Sequence, residues 1–366
     1  MDKRATNDID SVLTIAEIVR IAREKADPEA WDYMVGGSET ETSLRRNRLA
    51  LDKMAFRPRV LRDVSNIDTS REFLGWNLRL PLLLAPMGSL QQLDPAAAVP
   101  PAAAAKEFGV ASFLSSVCPP GIEETMKQTD GDMMFQLYVR GDEQWILDHV
   151  DQASELGYKA FCLTVDTAYY GRRERDKMRG FTPAARRRIG GTDFQAGLDW
   201  NVVDRIRAHC KLPMALKGIA TEEDAKLAVE HGIEIVYISN HGGRQLDYGR
   251  GCAELIPEIV DAVEGKAKVI VDGAVYRGTD LLKCIALGAD VVAIGRLYGY
   301  GLAAGGKAGV IKVLEILEEE VINAMANLGI TSMDQLNPDY LHPSDAVREP
   351  SVFSSFHLAD IPDYTY

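Results

Sequence analysis

The nine residues Ser239–Asp247, Ser-Asn-His-Gly-Gly-Arg-Gln-Leu-Asp, hold the densest chemistry in the chain and follow directly on the apolar run Ile233-Glu-Ile-Val-Tyr-Ile. The imidazole of His241 can take up a proton near neutral pH, and the guanidinium of Arg244 can grip a carboxylate through two parallel hydrogen bonds. A base beside a carboxylate clamp suits an acidic substrate that gives up a proton. Asn, Gly and Asp are also ordinary turn residues, so this stretch alone equally describes a solvated strand-end turn.

Polar residues recur where other apolar runs end: Gly88 and Ser89, Ser115 and Ser116, Gln136 and Tyr138, Thr164 and Asp166, Lys217, Asp272 and Gly273, Gly295 and Arg296. Such a varied set exceeds what one small acid needs and points to an extended cofactor plus an acidic substrate. The stretches Asp272-Gly-Ala-Val-Tyr-Arg-Gly and Gly295-Arg296 join Gly-containing turns to basic side chains, a composition suited to phosphate. The run Gly301-Leu-Ala-Ala-Gly-Gly-Lys307-Ala308 imitates a phosphate-binding loop but has Ala308 where a hydroxyl is required, so it is read as a decoy. His149, His209, His231, His342 and His357 show no metal-ligand spacing, and no metal centre is expected.

The elements that must position these groups follow a rhythm. Short apolar runs begin at Leu82, Ala111, Met133, Ala160, Met214, Glu234, Lys268 and Asp290. Helix-length segments lie between them, such as Gln144–Leu156, Thr221–His231, Ala253–Val263 and Gly278–Leu287, and Gly157 and Gly288 stand where helix C-caps favour glycine. Alternating near-continuous apolar strands and helices predict parallel strands buried on both faces, and eight such units predict an α/β fold of the (β/α)8 TIM-barrel type over about residues 80–305. An open doubly wound sheet is the alternative, but no Gly-rich dinucleotide fingerprint follows the first strand. An N-terminal extension (1–79) is expected to hold a helix over Thr14–Lys25, a second helical stretch over Glu39–Leu51, and a hairpin around Gly75 lying across the barrel floor. A helix over Val310–Ala326 and a tail from Pro338 that crosses a surface or a neighbouring subunit complete a single domain, 1–366. The long interval Ala168–Leu212 reads as a lid, with the Arg186–Arg188 group as a solvated basic loop.

Composition narrows the partners. A formal net charge of -13 disfavours nucleic acid and means that an anionic ligand must be met by locally grouped arginines. No apolar stretch is long enough for membrane insertion, and the polar start shows no secretory signal, so a cytoplasmic location is expected. Five cysteines, scattered and without a Cys-x-x-Cys pair, read as reduced thiols.

Together with the opening stretch, Phe135-Gln-Leu-Tyr, Leu163-Thr-Val-Asp-Thr, Gly171-Arg-Arg-Glu, Leu216-Lys-Gly and Asp272-Gly closely resemble the FMN-dependent L-2-hydroxy acid oxidases and dehydrogenases. Glycolate oxidase, lactate oxidase, lactate monooxygenase and mandelate dehydrogenase belong to that family. The resemblance runs in order over about residues 15 to 335. It implies FMN as cofactor, a small 2-hydroxy acid as substrate, oxygen or another electron acceptor as partner, and a homotetramer. By the same resemblance His241 is the base at substrate C2, and Asp166 pairs with it and raises its proton affinity. Arg173 and Arg244 clamp the carboxylate, while Tyr33 and Tyr138 line the substrate side, Tyr138 being counted with the catalytic groups. Lys217 lies by the flavin edge where negative charge develops. Pro86, Met87, Gly88, Ser115, Gln136, Thr164 and Ser239 contact the ring system, and Asp272, Gly273, Arg277, Gly295 and Arg296 hold ribityl and phosphate.

The chain departs from its relatives at Val117, where many carry a bulky aromatic, at Met87, where a hydroxyl or small residue is usual, and at Tyr276, where an arginine is usual. Gly88 matches the dehydrogenases and the monooxygenase more than the efficient oxidases. Competing readings are a monooxygenase-like oxidative decarboxylation, a Schiff-base barrel aldolase using Lys217, and a flavin- or phosphate-ligand-binding protein without turnover.

Overall fold

The computed structural model describes residues 9–183 and 193–362; the Arg186–Arg188 group lies outside the described residues. Helix α1 (Ile15–Lys25) starts at the N-cap Thr14: the Glu17 amide donates to Thr14 Oγ1, and the Thr14 hydroxyl donates to Glu17 Oε2. Helix α2 (Pro28–Val35) opens on a proline, which costs nothing at a position whose N–H has no helical acceptor. Helix α3 (Thr42–Asp52) leads into strand β1 (Met54–Phe56) and the hairpin of β2 (Arg71–Phe73) and β3 (Trp76–Leu78), which turns at Gly75.

Eight parallel strands then close into a barrel: β4 (Leu82–Leu84), β5 (Ala111–Ser115), β6 (Met133–Leu137), β7 (Phe161–Thr164), β8 (Met214–Ile219), β9 (Ile235–Ile238), β10 (Lys268–Val271) and β11 (Val291–Ile294). Pairing of β11 with β4 in the register Val292 to Leu82 shuts the ring, which excludes the open sheet. Alternate residues explain the continuous apolar runs. Leu82 and Leu84 pack outward against the helices, while Leu83 joins Phe113, Met134, Ala215, Ile235, Tyr237 and Ile270 inside the barrel. Phe73, Trp76 and Leu78 of the hairpin belong to that interior cluster, so the hairpin plugs the floor, as its alternating pattern predicts.

Two features differ from expectation. The helix expected over Val310–Ala326 is the second part of a longer one, Arg296–Leu328, broken at Gly305 and Gly306. Gly306 has φ 58°, and Gly301 and Gly309 approach so closely that a Cβ on Gly309 would stand 2.0 Å from the Gly301 carbonyl oxygen. The decoy glycines therefore serve a helix break and a backbone contact. The tail returns to its own chain: β12 (Leu341–Pro343) pairs with β1, and Phe353 and Phe356 are buried against the N-terminal helices and the long helix. All five cysteines are buried free thiols, and no helix among the described residues is long and apolar enough to cross a membrane.

Candidate active site

The carboxyl ends of the barrel strands carry a ring of buried polar side chains joined strand to strand. Ser115 Oγ donates to Gln136 Oε1 at 2.7 Å, and Gln136 Nε2 donates to Thr164 Oγ1 at 2.8 Å. Further round, Lys217 Nζ donates to Ser239 Oγ at 3.0 Å, and Ser239 Oγ donates to Asp272 Oδ1 at 2.9 Å. Register makes these contacts, since Ser115 faces Gln136 and Thr164 faces Lys217 across adjacent strands. A register shift between Lys217 and Ile219 falls at Gly218, whose φ is 116°. A Cβ there would stand 2.5 Å from that of Asp166, so glycine is what lets β8 pass this close to the carboxylate at the end of β7.

His241 follows β9 by three residues and itself has φ 60°, ahead of Gly242 and Gly243 at 65° and 73°. An L-residue held in the left-handed region stores strain, and here the fold spends it on aiming the ring. His241 Nδ1 lies 3.1 Å from Asp166 Oδ1, and Nε2 lies 3.0 Å from the Tyr138 hydroxyl. That network assigns the proton to Nδ1, donating to the carboxylate, and leaves the Nε2 lone pair toward Tyr138 and the cavity.

Charge states follow from burial and neighbours. Burial lowers the His241 pKa below its ordinary 6.5; Asp166 pulls it upward but does not prevail, so the imidazole is neutral at neutral pH. Asp166 thus acts in the direction that the resemblance implies, and burial outweighs it. Burial would raise Asp166, but its neighbours His241 and Lys217, with a hydrogen bond from Thr167, outweigh it and hold the carboxyl below its usual range. Burial would likewise lower Lys217, and Asp272 and Asp166 more than compensate, keeping it an ammonium.

One large cavity opens above this ring. Pro86, Met87, Gly88, Lys217, Gly273, Gly295 and Arg296 line it together with Tyr33, Tyr138, Arg173, His241 and Arg244. The fold thus gathers most of the expected site around one space, with Ser115, Gln136, Thr164 and Ser239 buried in the strand ends that form the ring. Arg173 and Arg244 both stack on Tyr33, at 5.8 and 4.8 Å from its centroid. Arg244 Nη1 also donates to the carbonyls of Tyr33 (2.6 Å) and Gly36 (2.9 Å), and Arg296 Nη2 donates to Gly36 O at 2.8 Å. The C-terminal end of α2, where carbonyls lack helical partners, therefore orients two of the site's arginines. At Gly88 a Cβ would stand 2.5 Å from Val117 Cγ2, so the two departures from the family pattern face each other across the wall.

Arg277 is the exception. It pairs with Glu320 and donates to Ser355 O, and it does not line the cavity, because the turn carries its side chain outward while the preceding Tyr276 faces in. Three contributors escape sequence reasoning. Tyr170 lines the cavity with Arg173 at 4.3 Å from its ring, a position its sequence neighbours do not distinguish from a loop tyrosine. The amides of Asn47 and Asn240 exchange hydrogen bonds of 2.8 Å, fixing the base-bearing loop to α3. Glu41 and Arg175 form a buried bidentate pair at 2.6 and 2.7 Å, tying the segment after α2 to that after β7.

The residues present fit FMN. Gly273 and Gly295 line the cavity with Arg296, where helix amides emerge, a fixed ammonium stands at Lys217, and donors and acceptors ring the strand ends. The FMN-dependent dehydrogenase family model matches residues 22–190 and 182–343. Glycolate oxidase 3 of Arabidopsis thaliana is 36% identical over 352 residues, covering 90% of this chain and 96% of that protein. L-lactate oxidase of Nostoc sp. is 36% identical, covering 91% and 99%, and 4-hydroxymandelate oxidase of Amycolatopsis orientalis is 38% identical, covering 88% and 96%. A crystal structure of mandelate oxidase superposes with a TM-score of 0.85 at 37% identity, covering 92% of this chain and 100% of that one. Barrel, ring and sequence thus agree, and the chain belongs to the FMN-dependent dehydrogenase family.

Proposed function

We propose that this flavoenzyme oxidises a small L-2-hydroxy acid to the 2-oxo acid, with His241 as its base. The observation that carries this reading is the line Tyr138–His241–Asp166, in which Nε2 accepts from the Tyr138 hydroxyl at the edge of the cavity that Tyr138, His241 and Lys217 all line. Oxidation of a C2 hydroxyl to a ketone releases two electrons and two protons. FMN, when bound, would accept the electron pair together with one of those protons. Neutral His241 takes one proton at Nε2, and Asp166 stabilises the imidazolium that results. Arg173 and Arg244 hold the carboxylate so that C2 lies beside Nε2, and their fixed forks favour planar, bidentate contact. Lys217 would stabilise negative charge developing on the bound ring system, while Gly273, Tyr276, Gly295 and Arg296 would hold the phosphate end. Oxygen is the acceptor to try first, since similar chains carry the name oxidase.

A Schiff-base role for Lys217 gains no support. Such a lysine must lose its proton to attack a carbonyl, and Asp272 and Asp166 hold this one charged. Anaerobic addition of glycolate, lactate, mandelate and longer 2-hydroxy acids should bleach the yellow protein with at least one of them. His241→Ala should retain bound FMN and lose bleaching by about 100-fold or more, the scale of a general base. A variant that bleaches at the normal rate removes His241 from its role, and a flavin inert to the whole panel removes the activity.

A further inference from the structure

Residues 349–361 lie across the outside of the phosphate end, and ring contacts join them to it. Phe353 stacks on Trp31 of α2, with centroids 5.7 Å apart and planes at 10°. Phe356 meets Tyr276 at 5.0 Å and Tyr300 edge-on at 5.9 Å. Arg45 Nη1 donates to Pro350 O at 2.8 Å, and Arg277 reaches Ser355 O. Tyr276 is thus held from two sides, its ring by Phe356 and its amide by Asp280 at 3.0 Å, while it also lines the cavity. Asp280 is itself fixed by a bidentate pair with Arg48 at 2.7 and 2.8 Å.

The neighbouring cation points away, since Arg277 is spent on Glu320. At this turn a neutral phenol therefore stands where a second charge could have been. A guanidinium attracts phosphate over several ångströms, but an O–H donor contributes only within about 3 Å and near linearity. A phenol in that role needs rigid backing.

We propose that the C-terminal segment is a strap that retains the flavin phosphate. Phe356 is its positioning residue, holding the Tyr276 hydroxyl against the phosphate end. This rests on the placement of the phosphate by Gly273, Tyr276, Gly295 and Arg296.

Riboflavin, which lacks the phosphate, separates a phosphate contact from general packing. The full-length protein is stripped of flavin and titrated with FMN or riboflavin, with flavin fluorescence reporting the dissociation constants. Tyr276→Phe and Phe356→Ala should each weaken FMN by about tenfold or more, the scale of one hydrogen bond to a charged group, and riboflavin by about twofold at most. Phe356→Leu, which restores bulk behind the ring, should recover most of the FMN affinity. Equal losses for both flavins, or none for FMN, overturn the strap. A wild-type protein that binds the two flavins alike overturns the phosphate placement as well, whereas a wild-type preference for FMN that Phe356→Ala leaves intact overturns the strap alone.

Discussion

Enclosure at the strand ends disfavours charge on His241, and that sets how the enzyme answers to pH. Burial lowers its pKa below 6.5, so the base is available throughout the neutral range and is lost as pH falls through the lowered value. The rate of anaerobic flavin reduction at subsaturating substrate should therefore be flat near neutrality and fall on an acid limb centred below 6.5. A limb centred above 6.5 would mean that Asp166 outweighs enclosure. At this scale much was legible in the sequence. His241, Arg244, Lys217 and Asp166 are reactive types at strand ends, and their meeting needed only the barrel. Arg277 was misplaced because Tyr276 and Arg277 are adjacent, and the path of the turn alone decides which of them faces inward. Nothing in the chain marks the Asn47–Asn240 exchange, which joins residues 193 positions apart.

Among elements, the eight strands and the floor hairpin were legible because their periodicities are strong. The segment from α2 to α3 was not, since its importance lies in carbonyls and ion pairs, not in pattern. Arg244 and Arg296 both lean on α2, and Glu41 locks the following turn by accepting from Gly37 N at 3.0 Å while pairing with Arg175. Arg175 is two residues beyond Arg173, so one buried pair sets both halves of the carboxylate clamp. Glu41→Gln removes the bidentate carboxylate from a buried guanidinium that still faces Asp32 at 3.9 Å, a loss of at most about 3–5 kcal/mol on the scale of broken buried pairs. We expect a lower Tm and a KM for the hydroxy acid raised about tenfold, with kcat changed much less, as suits a loss of binding more than of chemistry. Steady-state kinetics beside thermal melts would check this, and a kcat that falls with KM unmoved would contradict it.

Across the whole molecule, the ring of polar strand ends makes the cofactor a common partner of many strands at once. FMN should therefore stabilise the barrel as a unit, by about 4 kcal/mol at a free concentration 1,000 times its dissociation constant. A thermal melt should move upward by several degrees as FMN is added, and a midpoint indifferent to saturating FMN would count against a cofactor seated across the strand ends. The roof over that ring has a consequence in time. Tyr33 accepts from Arg244, which lies 211 residues later, and Tyr276 is backed by Phe356, 80 positions further along. During synthesis the first-made helices wait for most of the barrel before they can dock. The nascent chain carries Tyr33 and Glu41 long before Arg244 and Phe356 exist to close the site around them, so competence arrives with those later segments, not in proportion to length.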